Sequence, residues 1–138
     1  AEYTRSNPLV YQHFIPTLPF ESNLFALGHY LGDNSDEIYI ELGYRPLRGL
    51  DFRFAWTKAR HGDNYIYGVG SAFGREFMKN VTWSNEQAEL EIRYELMAGV
   101  QLNVRYIQSN TVDTEGNRTP VFLRGKQTSM EFGAGIGF

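Results

Sequence analysis

Strict alternation of apolar and polar residues recurs in five segments of this chain, and it limits the possible folds more than any other feature. The segments are 38–45, 50–57, 89–95, 100–106 and 129–138. Successive side chains of a β-strand point to opposite faces of a sheet, so a period of two predicts strands with one apolar and one polar face. Aromatic residues make up 15% of the chain, and this enrichment also favours strands. The sequence therefore predicts an all-β fold.

One hairpin design occurs twice in the chain. In each copy, two alternating segments flank a short stretch that contains glycine, at 46–49 and at 96–99. Gly49 of the first copy corresponds to Gly99 of the second. Because glycine adopts the backbone angles that tight turns require, both stretches are predicted to be turns.

The connections between the alternating segments differ in length. Two are short turns, whereas the stretches 61–86 and 109–127 are long and polar, and 7–35 is a further irregular stretch that contains Pro8, Pro16 and Pro19. Long and short connections alternate along the chain, which places all short turns at one end of a meander and all long loops at the other. This arrangement is typical of outer-membrane β-barrels. We therefore predict an antiparallel transmembrane β-barrel meander of five or six strands, in which the three long stretches are extracellular loops.

The alternation is interrupted once. Val81 and Trp83 have odd numbers, whereas the apolar residues from Leu90 onward have even numbers. A bulge or loop must reset the register between them, and we expect it between Ser84 and Gln87. The membrane-spanning part of that strand is then predicted to begin after Gln87.

Charged side chains concentrate on the polar face of the predicted strands. Opposite charges on neighbouring strands can pair across a wet lumen. Aromatic residues near the strand ends, such as Tyr44, Trp56, Tyr94 and Tyr106, match the interfacial girdles of membrane barrels. We therefore predict that the apolar face contacts lipid and lipopolysaccharide. The charged residues predicted to face the lumen are Glu41, Arg45, Asp51, Arg53, Glu89, Glu91, Arg93, Glu95 and Arg105.

The end of the chain resembles a known targeting signal. Glu131, Gly133, Ile136 and Phe138 match the pattern of a polar residue, a glycine and two apolar or aromatic residues that the barrel-assembly machinery of Gram-negative bacteria reads. The resemblance implies that the barrel-assembly machinery is a partner and that the protein resides in the outer membrane. The alternative is an edge strand of a soluble β domain.

The number of strands is too small for a closed membrane barrel. Such barrels have eight or more strands, and an open sheet edge cannot face lipid. We therefore expect residues 1–138 to form one domain that is the C-terminal portion of a larger barrel. Pairing with other chains is the alternative.

The first third of the chain resembles a family of large outer-membrane barrels from Bacteroidota. This family groups the capsule-assembly protein Wzi with the gliding-motility protein RemB. For Wzi-like members the resemblance implies anchoring of capsular polysaccharide, and for RemB-like members it implies surface adhesion or motility. It implies no enzymatic activity and no cofactor for either group. The residues that carry it are Glu2-Tyr3-Thr4-Arg5, Asn7-Pro8, Tyr11-x-His13, Leu27-Gly28-His29, Leu31-Gly32, Asn34 and Glu37.

Aromatic residues crowd the predicted loop 61–86 together with several glycines. Aromatic faces stack on sugar rings, and glycine allows close approach, so this loop is the predicted site of contact with surface polysaccharide. The competing interpretation is that these side chains pack against the loop itself or against another outer-membrane protein. The aromatic residues are Tyr65, Tyr67, Phe73, Phe77 and Trp83.

Other functional classes find little support. The chain has no cysteine, and its net charge of −3 gives no basic footprint for nucleic acid. The oxygen-rich stretch 33–37 lacks the spacing of a calcium loop, and His13, His29 and His61 lack metal-ligand spacing. We predict no catalytic residues, no metal and no cofactor. Three functions stay open: a polysaccharide-binding barrel, a subunit of a secretion, motility or assembly complex, and a soluble all-β binding domain.

Overall fold

The structure is a computed structural model of residues 1–138, and it describes residues 1–11, 21–22, 25–26, 28–65 and 75–136. Within these ranges the chain is built from antiparallel strands and one short 3-10 turn at Val121–Leu123. Among the residues described, no helix has the length and apolar character that crossing a membrane demands. The strands are β1 (Glu2–Ser6), β2 (Glu21–Ser22), β3 (Phe25–Ala26), β4 (Ser35–Leu47), β5 (Leu50–Gly62), β6 (Val81–Met97), β7 (Val100–Asp113) and β8 (Gly125–Ile136).

Six of the strands form one open antiparallel sheet. Their order is β1-β4-β5-β6-β7-β8, so every neighbour in the sheet is also the next of these six along the chain. The strands β2 and β3 pair with each other in a separate small sheet. The predicted all-β antiparallel meander of five or six strands is confirmed.

Two tight turns close one end of the sheet, which we call the turn end. Leu47 pairs with Leu50 across the first turn, and Met97 pairs with Val100 across the second. Each turn contains one glycine in the left-handed region, with φ of 83° at Gly49 and 79° at the equivalent glycine of the second turn. The two predicted turns are confirmed. Glycine occupies these positions because other residues are disfavoured at such backbone angles.

The long connections meet at the opposite end, which we call the loop end. They are shorter than the sequence suggested. The ladder between β5 and β6 continues to the pair Gly62–Val81, which leaves 63–80 as the connection, and β7 and β8 remain paired up to Thr111. The predicted loop 109–127 therefore reduces to 114–124, and the predicted loop 61–86 loses both its ends to strands.

The predicted register reset between Ser84 and Gln87 is wrong. Pairing of β6 with β5 runs without a shift from Trp83 onward, and the irregularity lies next to His61 and Gly62 instead. Trp83 belongs to the polar face, where its indole nitrogen donates to the Thr119 hydroxyl at 2.8 Å. An aromatic residue that is not on the apolar face caused the wrong prediction.

The even-numbered residues in the turn-end part of β4 to β8 form one continuous apolar face. Side chains lie in register across the strands, so that Tyr44, Phe52, Ile92, Val104 and Phe132 form a single row. This face is open, with Phe132 exposed to 75% and Tyr44 to 69%. Among the described residues the buried apolar side chains are Leu31, Ala55 and Ala59. The sheet therefore has no apolar core between two layers.

A polar row ends the apolar face toward the loop end. Lys58, Glu86, Asn110 and Lys126 are paired in sequence across β5 to β8, and all have even numbers. The Trp56 indole, one row closer to the turn end, donates to Glu86 at 3.2 Å. We call these four residues the border row.

Candidate functional site

The polar face of the sheet carries a cross-strand array of ion pairs in its turn-end half. Arg53 on β5 lies 3.1 Å from Glu41, 3.2 Å from Glu89 and 3.2 Å from Glu91. Arg105 on β7 lies 2.9 Å from Glu89 and 3.5 Å from a carboxylate of β8. Each arginine thus pairs with carboxylates on the two adjacent strands, at directly opposite or diagonal positions. We call this set the ion ladder, and its members are Glu41, Arg53, Glu89, Glu91, Arg105 and Glu131.

The other charged residues that were predicted to face a lumen lie on the same face. Arg93 pairs with Glu91 at 3.0 Å, and Arg45 pairs with Asp51 across the first hairpin. Glu95 is opposite Gln101 near the second turn. The sequence thus assigned these side chains to one face of the sheet, which the register of the strands confirms.

At the loop end, buried polar side chains also bind backbone groups of the long connections. Asn34, directly before β4, is 1% exposed and adopts a left-handed conformation with φ of 52°. Its amide donates to the Asp63 carbonyl at 2.9 Å, and its side-chain oxygen accepts the Met78 backbone N–H at 2.9 Å. The Gly62 N–H donates to the Asn34 carbonyl at 2.8 Å. One side chain therefore holds the start of β4 against both ends of the connection 63–80.

The oxygen-rich stretch 33–37 is used for contacts within the chain. Asp36 is 4% exposed and accepts two hydrogen bonds from Arg60, at 2.9 and 2.6 Å. Asp33 accepts the Tyr11 backbone N–H at 2.7 Å. Within the described ranges no group of three or more acidic, histidine or cysteine side chains could hold a metal ion.

The connection 114–124 is organised by Asp113, whose side chain is 1% exposed. Its carboxylate accepts backbone N–H groups of Gly116 at 2.8 Å, Arg118 at 3.0 Å and Thr119 at 2.8 Å. Burial alone would raise the pKa of Asp113, but these three donors, helped by Arg124, lower it below its ordinary value. The loop is therefore fixed around one ionised carboxylate.

A first cleft lies between this loop and the polar face of β6, β7 and β8. Its volume is about 440 Å³. Three apolar side chains line it: Trp83, Ile107 and Leu123. The remaining lining residues carry hydroxyl or amide groups, and they are Ser109, Thr111, Thr119, Gln127, Thr128 and Ser129.

A second cleft of about 280 Å³ lies beside β5 and is strongly polar. The His61 side chain is buried there, and its Nδ1 is 2.6 Å from the Gly62 carbonyl, so Nδ1 carries the proton. Its Nε2 is then an acceptor and lies 2.7 Å from the Arg118 guanidinium, which also donates to Asn64 at 3.0 Å. Burial, and next the Arg118 charge, lower the pKa of His61.

The predicted aromatic contact residues occupy three separate places. Trp83 lines the first cleft, and Tyr65 lines the second, where its hydroxyl donates to the Glu76 carbonyl at 3.1 Å. The ring of Phe77 is covered by the Arg5 guanidinium at 3.9 Å, which leaves that face unavailable to a ligand. Tyr67 and Phe73 lie outside the described residues.

Sequence reasoning missed most of the lining of the first cleft. Ser109 and Thr111 fell in the predicted loop 109–127 and Trp83 in the predicted loop 61–86. Their odd numbers, shared with Ser129, are the signal that could have placed them together on the polar face. No pattern indicated Thr119 or Leu123, because both reach the cleft through the fold of the connection 114–124.

Three of the four residues of the predicted assembly signal lie on β8, an edge of the sheet. Glu131 and Gly133 are on the polar face, where Glu131 pairs with Arg105 at 3.5 Å. Ile136 is on the apolar face and is 70% exposed. Phe138 lies outside the described residues.

The chain was compared with known proteins at the levels of sequence and structure. Comparison with protein-family models, with curated proteins and with solved structures finds no match. The resemblance to Wzi-like and RemB-like barrels therefore stays a prediction.

Proposed function

We propose that this chain forms part of an outer-membrane β-barrel whose apolar face contacts lipid and whose loop end contacts surface polysaccharide. The observation that carries the proposal is the pairing of an exposed apolar face with a polar face of mutually neutralised charges. A soluble protein of this sequence would leave Phe132, Tyr44 and Leu42 in water, at 75%, 69% and 64% exposure. Contiguous apolar patches on soluble monomers rarely exceed a few hundred Å².

The dimensions of the apolar face support lipid as its environment. It covers eight residues of β4, from Ile40 to Leu47, and ten of β6, from Ala88 to Met97. A transmembrane β-strand needs about 9–11 residues. On β7 and β8 the apolar face ends one row earlier, because Gln108 and Thr128 lie in the Trp56 row. Neighbouring strands lie about 4.8 Å apart and same-face residues about 6.8 Å apart, so five strands and four rows without these two positions span roughly 590 Å². That area is at the upper end of the about 300–600 Å² that the largest apolar patch of a monomer covers.

The ion ladder supports a wet lumen on the opposite face. Arg53 and Arg105 keep 42% and 38% of their side-chain surface exposed, so water reaches charges that are already paired. Fully desolvated ion pairs would be far more costly. A polar lumen and an apolar outer band are the arrangement of transmembrane barrels.

The two tryptophans of the chain allow a direct test of which face meets lipid. Trp56 lies on the apolar face beside the border row, and Trp83 lies on the polar face. Trp83→Phe leaves Trp56 as the sole tryptophan, and Trp56→Phe leaves Trp83. In vesicles that contain brominated lipids, we expect strong quenching of Trp56 fluorescence, greatest with bromine near the headgroups, and weak quenching of Trp83.

Two results would contradict the membrane assignment. One is a protein that stays monodisperse in plain buffer and does not associate with vesicles. The other is equal quenching of both tryptophans, which would mean that the two faces do not differ in their contact with lipid.

The contact with polysaccharide is tested separately, on the detergent-solubilised protein. We expect binding to a subset of glycans on an array and loss of that binding in Trp83→Ala. If no glycan binds although the vesicle experiment succeeds, the loop end is a protein contact, as in a secretion, motility or assembly complex.

A further inference from the structure

The first cleft, lined by Trp83, Ile107 and Leu123, contains no charged side chain in its wall. The ion-ladder rows of the same face, toward the turn end, carry Arg and Glu instead. The second cleft, by contrast, is lined by Asp33, Asp63 and other ionisable groups. The two clefts at the loop end therefore differ in the ligands that they could accept.

The charged side chains on either side of the first cleft are already paired with other groups of the chain. Toward the turn end, the two terminal nitrogens of Arg105 pair with Glu89 and Glu131 at 2.9 and 3.5 Å. On the loop side, the carboxylate of Asp113 accepts three backbone N–H groups, and Arg124 donates to the carbonyls of the loop. No side chain among those described offers an unpaired charge to a ligand in this cleft.

The indole of Trp83 is held in place before any ligand arrives. Its Nε1 donates to the Thr119 hydroxyl at 2.8 Å, and the Thr119 backbone N–H is in turn bound by Asp113 at 2.8 Å. The indole is only partly buried, so the ring remains a surface of the cleft. A fixed aromatic ring loses little conformational entropy on binding.

The remaining lining groups are hydroxyls and amides, which both donate and accept hydrogen bonds. Ser109, Thr111, Gln127 and Ser129 surround the apolar floor that Ile107 contributes. A pyranose ring has the complementary surface, with C–H groups on its face and hydroxyls at its edge. The volume of about 440 Å³ lies within the range of about 300–1,000 Å³ that small-ligand sites have.

We propose that the first cleft is a subsite for an uncharged hexose unit, stacked on Trp83 and excluding uronic acids and sulfated sugars. The exclusion follows because a carboxylate or sulfate would lose its hydration here without gaining a cationic partner. This inference rests on the proposed function, since it names the class of sugar that the loop end binds.

The test uses the detergent-solubilised Trp56→Phe variant, in which Trp83 is the only tryptophan, and its emission is excited selectively over that of tyrosine. We expect a saturable change of Trp83 emission with neutral glucose and mannose oligosaccharides, and at least tenfold weaker binding of oligogalacturonate of the same length. Thr119→Val removes the acceptor of the indole N–H while keeping the shape of the side chain. It is expected to weaken the neutral sugar severalfold.

The outcomes separate this inference from the proposed function. Equal affinity for neutral and acidic oligosaccharides, or glycan binding that Trp83→Ala leaves unchanged, overturns the subsite while leaving a polysaccharide-binding barrel intact. Failure of the brominated-lipid experiment overturns the barrel whatever the sugar titration gives. Circular dichroism and heat-shifted electrophoretic mobility confirm that each variant is folded.

Discussion

The two halves of the sheet satisfy their polar groups in different ways. In the turn-end half, the arginines of the ion ladder pair with carboxylates of neighbouring strands and remain partly exposed, with Arg53 at 42% and Arg105 at 38%. In the loop-end half, Asn34 and His61 are at most 2% exposed and bind backbone groups and side chains of the long connections. The first half is built from neighbouring strands, and the second depends on segments far apart in the chain. The loop end should therefore tolerate less change.

The largest expected difference in stability between the two halves is that between alanine substitutions at two glycines, Gly62 and Gly43. A Cβ on Gly62, at the loop end, would overlap the Asn34 side-chain amide and lie 3.2 Å from the Asn80 carbonyl. Asn34 cannot move away without breaking two hydrogen bonds. We expect Gly62→Ala to lower the free energy of unfolding by about 2 kcal/mol, since overpacking typically costs about 1–3 kcal/mol.

Gly43, in the turn-end half, is the matched control, because a Cβ there would meet nothing within 4 Å. We expect Gly43→Ala to stay within about 0.5 kcal/mol of the wild type. Urea unfolding in lipid vesicles measures both variants. Equal losses at the two positions would mean that the halves do not differ in packing.

Removing one charge from the ion ladder is expected to have an intermediate effect on stability. Glu89 joins Arg53 and Arg105, and its side chain is 8% exposed. We expect Glu89→Gln to cost about 1–2 kcal/mol, because it leaves two arginines without their shared partner, although both remain open to water. The urea midpoint in vesicles measures this loss.

The outer end of the ladder is the comparison for this variant. The Glu131 side chain is 55% exposed and lies 3.5 Å from Arg105. Exposed pairs contribute about 0–1 kcal/mol, so Glu131→Gln should change the midpoint little. If Glu131→Gln destabilises the protein as much as Glu89→Gln, the ladder acts as a unit and burial does not rank its members.

The smallest expected effect is a pH response of the loop end. Burial, and then the Arg118 charge, lower the pKa of His61 from its ordinary value of 6.5, while Asp33 and Glu115 oppose the shift weakly. A lowered histidine pKa means that the unfolded or opened state binds the proton more tightly than the folded state. The contribution of the neutral His61 to stability is thus complete above about pH 6.5 and decreases as the pH falls below it.

Hydrogen exchange of the connection 114–124 reports this response. After correction for the intrinsic rate, we expect exchange on the order of a few-fold faster at pH 5 than at pH 7.5. His61→Gln retains an oxygen that can accept from Arg118 but has no proton to gain, so its exchange should not respond. An identical pH response in this variant would assign the effect to another group.

The sequence predicted the turn-end half far better than the loop end. Alternation and the repeated glycines at Gly49 and Gly99 are local signals, and they were sufficient for the strand faces, both turns and the side of the sheet that carries the charges. The contact between His61 and Arg118 joins residues 57 positions apart and leaves no local pattern. Trp83 misled the register because an aromatic side chain can belong to a polar face when a loop supplies its partner.

The border row has a consequence for the depth at which the proposed barrel would sit. Lys58, Glu86, Asn110 and Lys126 follow the Trp56 row directly, so hydrocarbon can reach no further than that row. On β7 and β8, where Gln108 and Thr128 lie in the Trp56 row, it ends one row earlier. Sinking by one row, roughly 7 Å along the strands, would drag two lysines and a carboxylate into the acyl chains. If the barrel rose by one row, the apolar side chains beside the tight turns would be exposed to water. The height of the apolar face would thus match one bilayer thickness, and a thinner membrane would have to thicken locally around the protein.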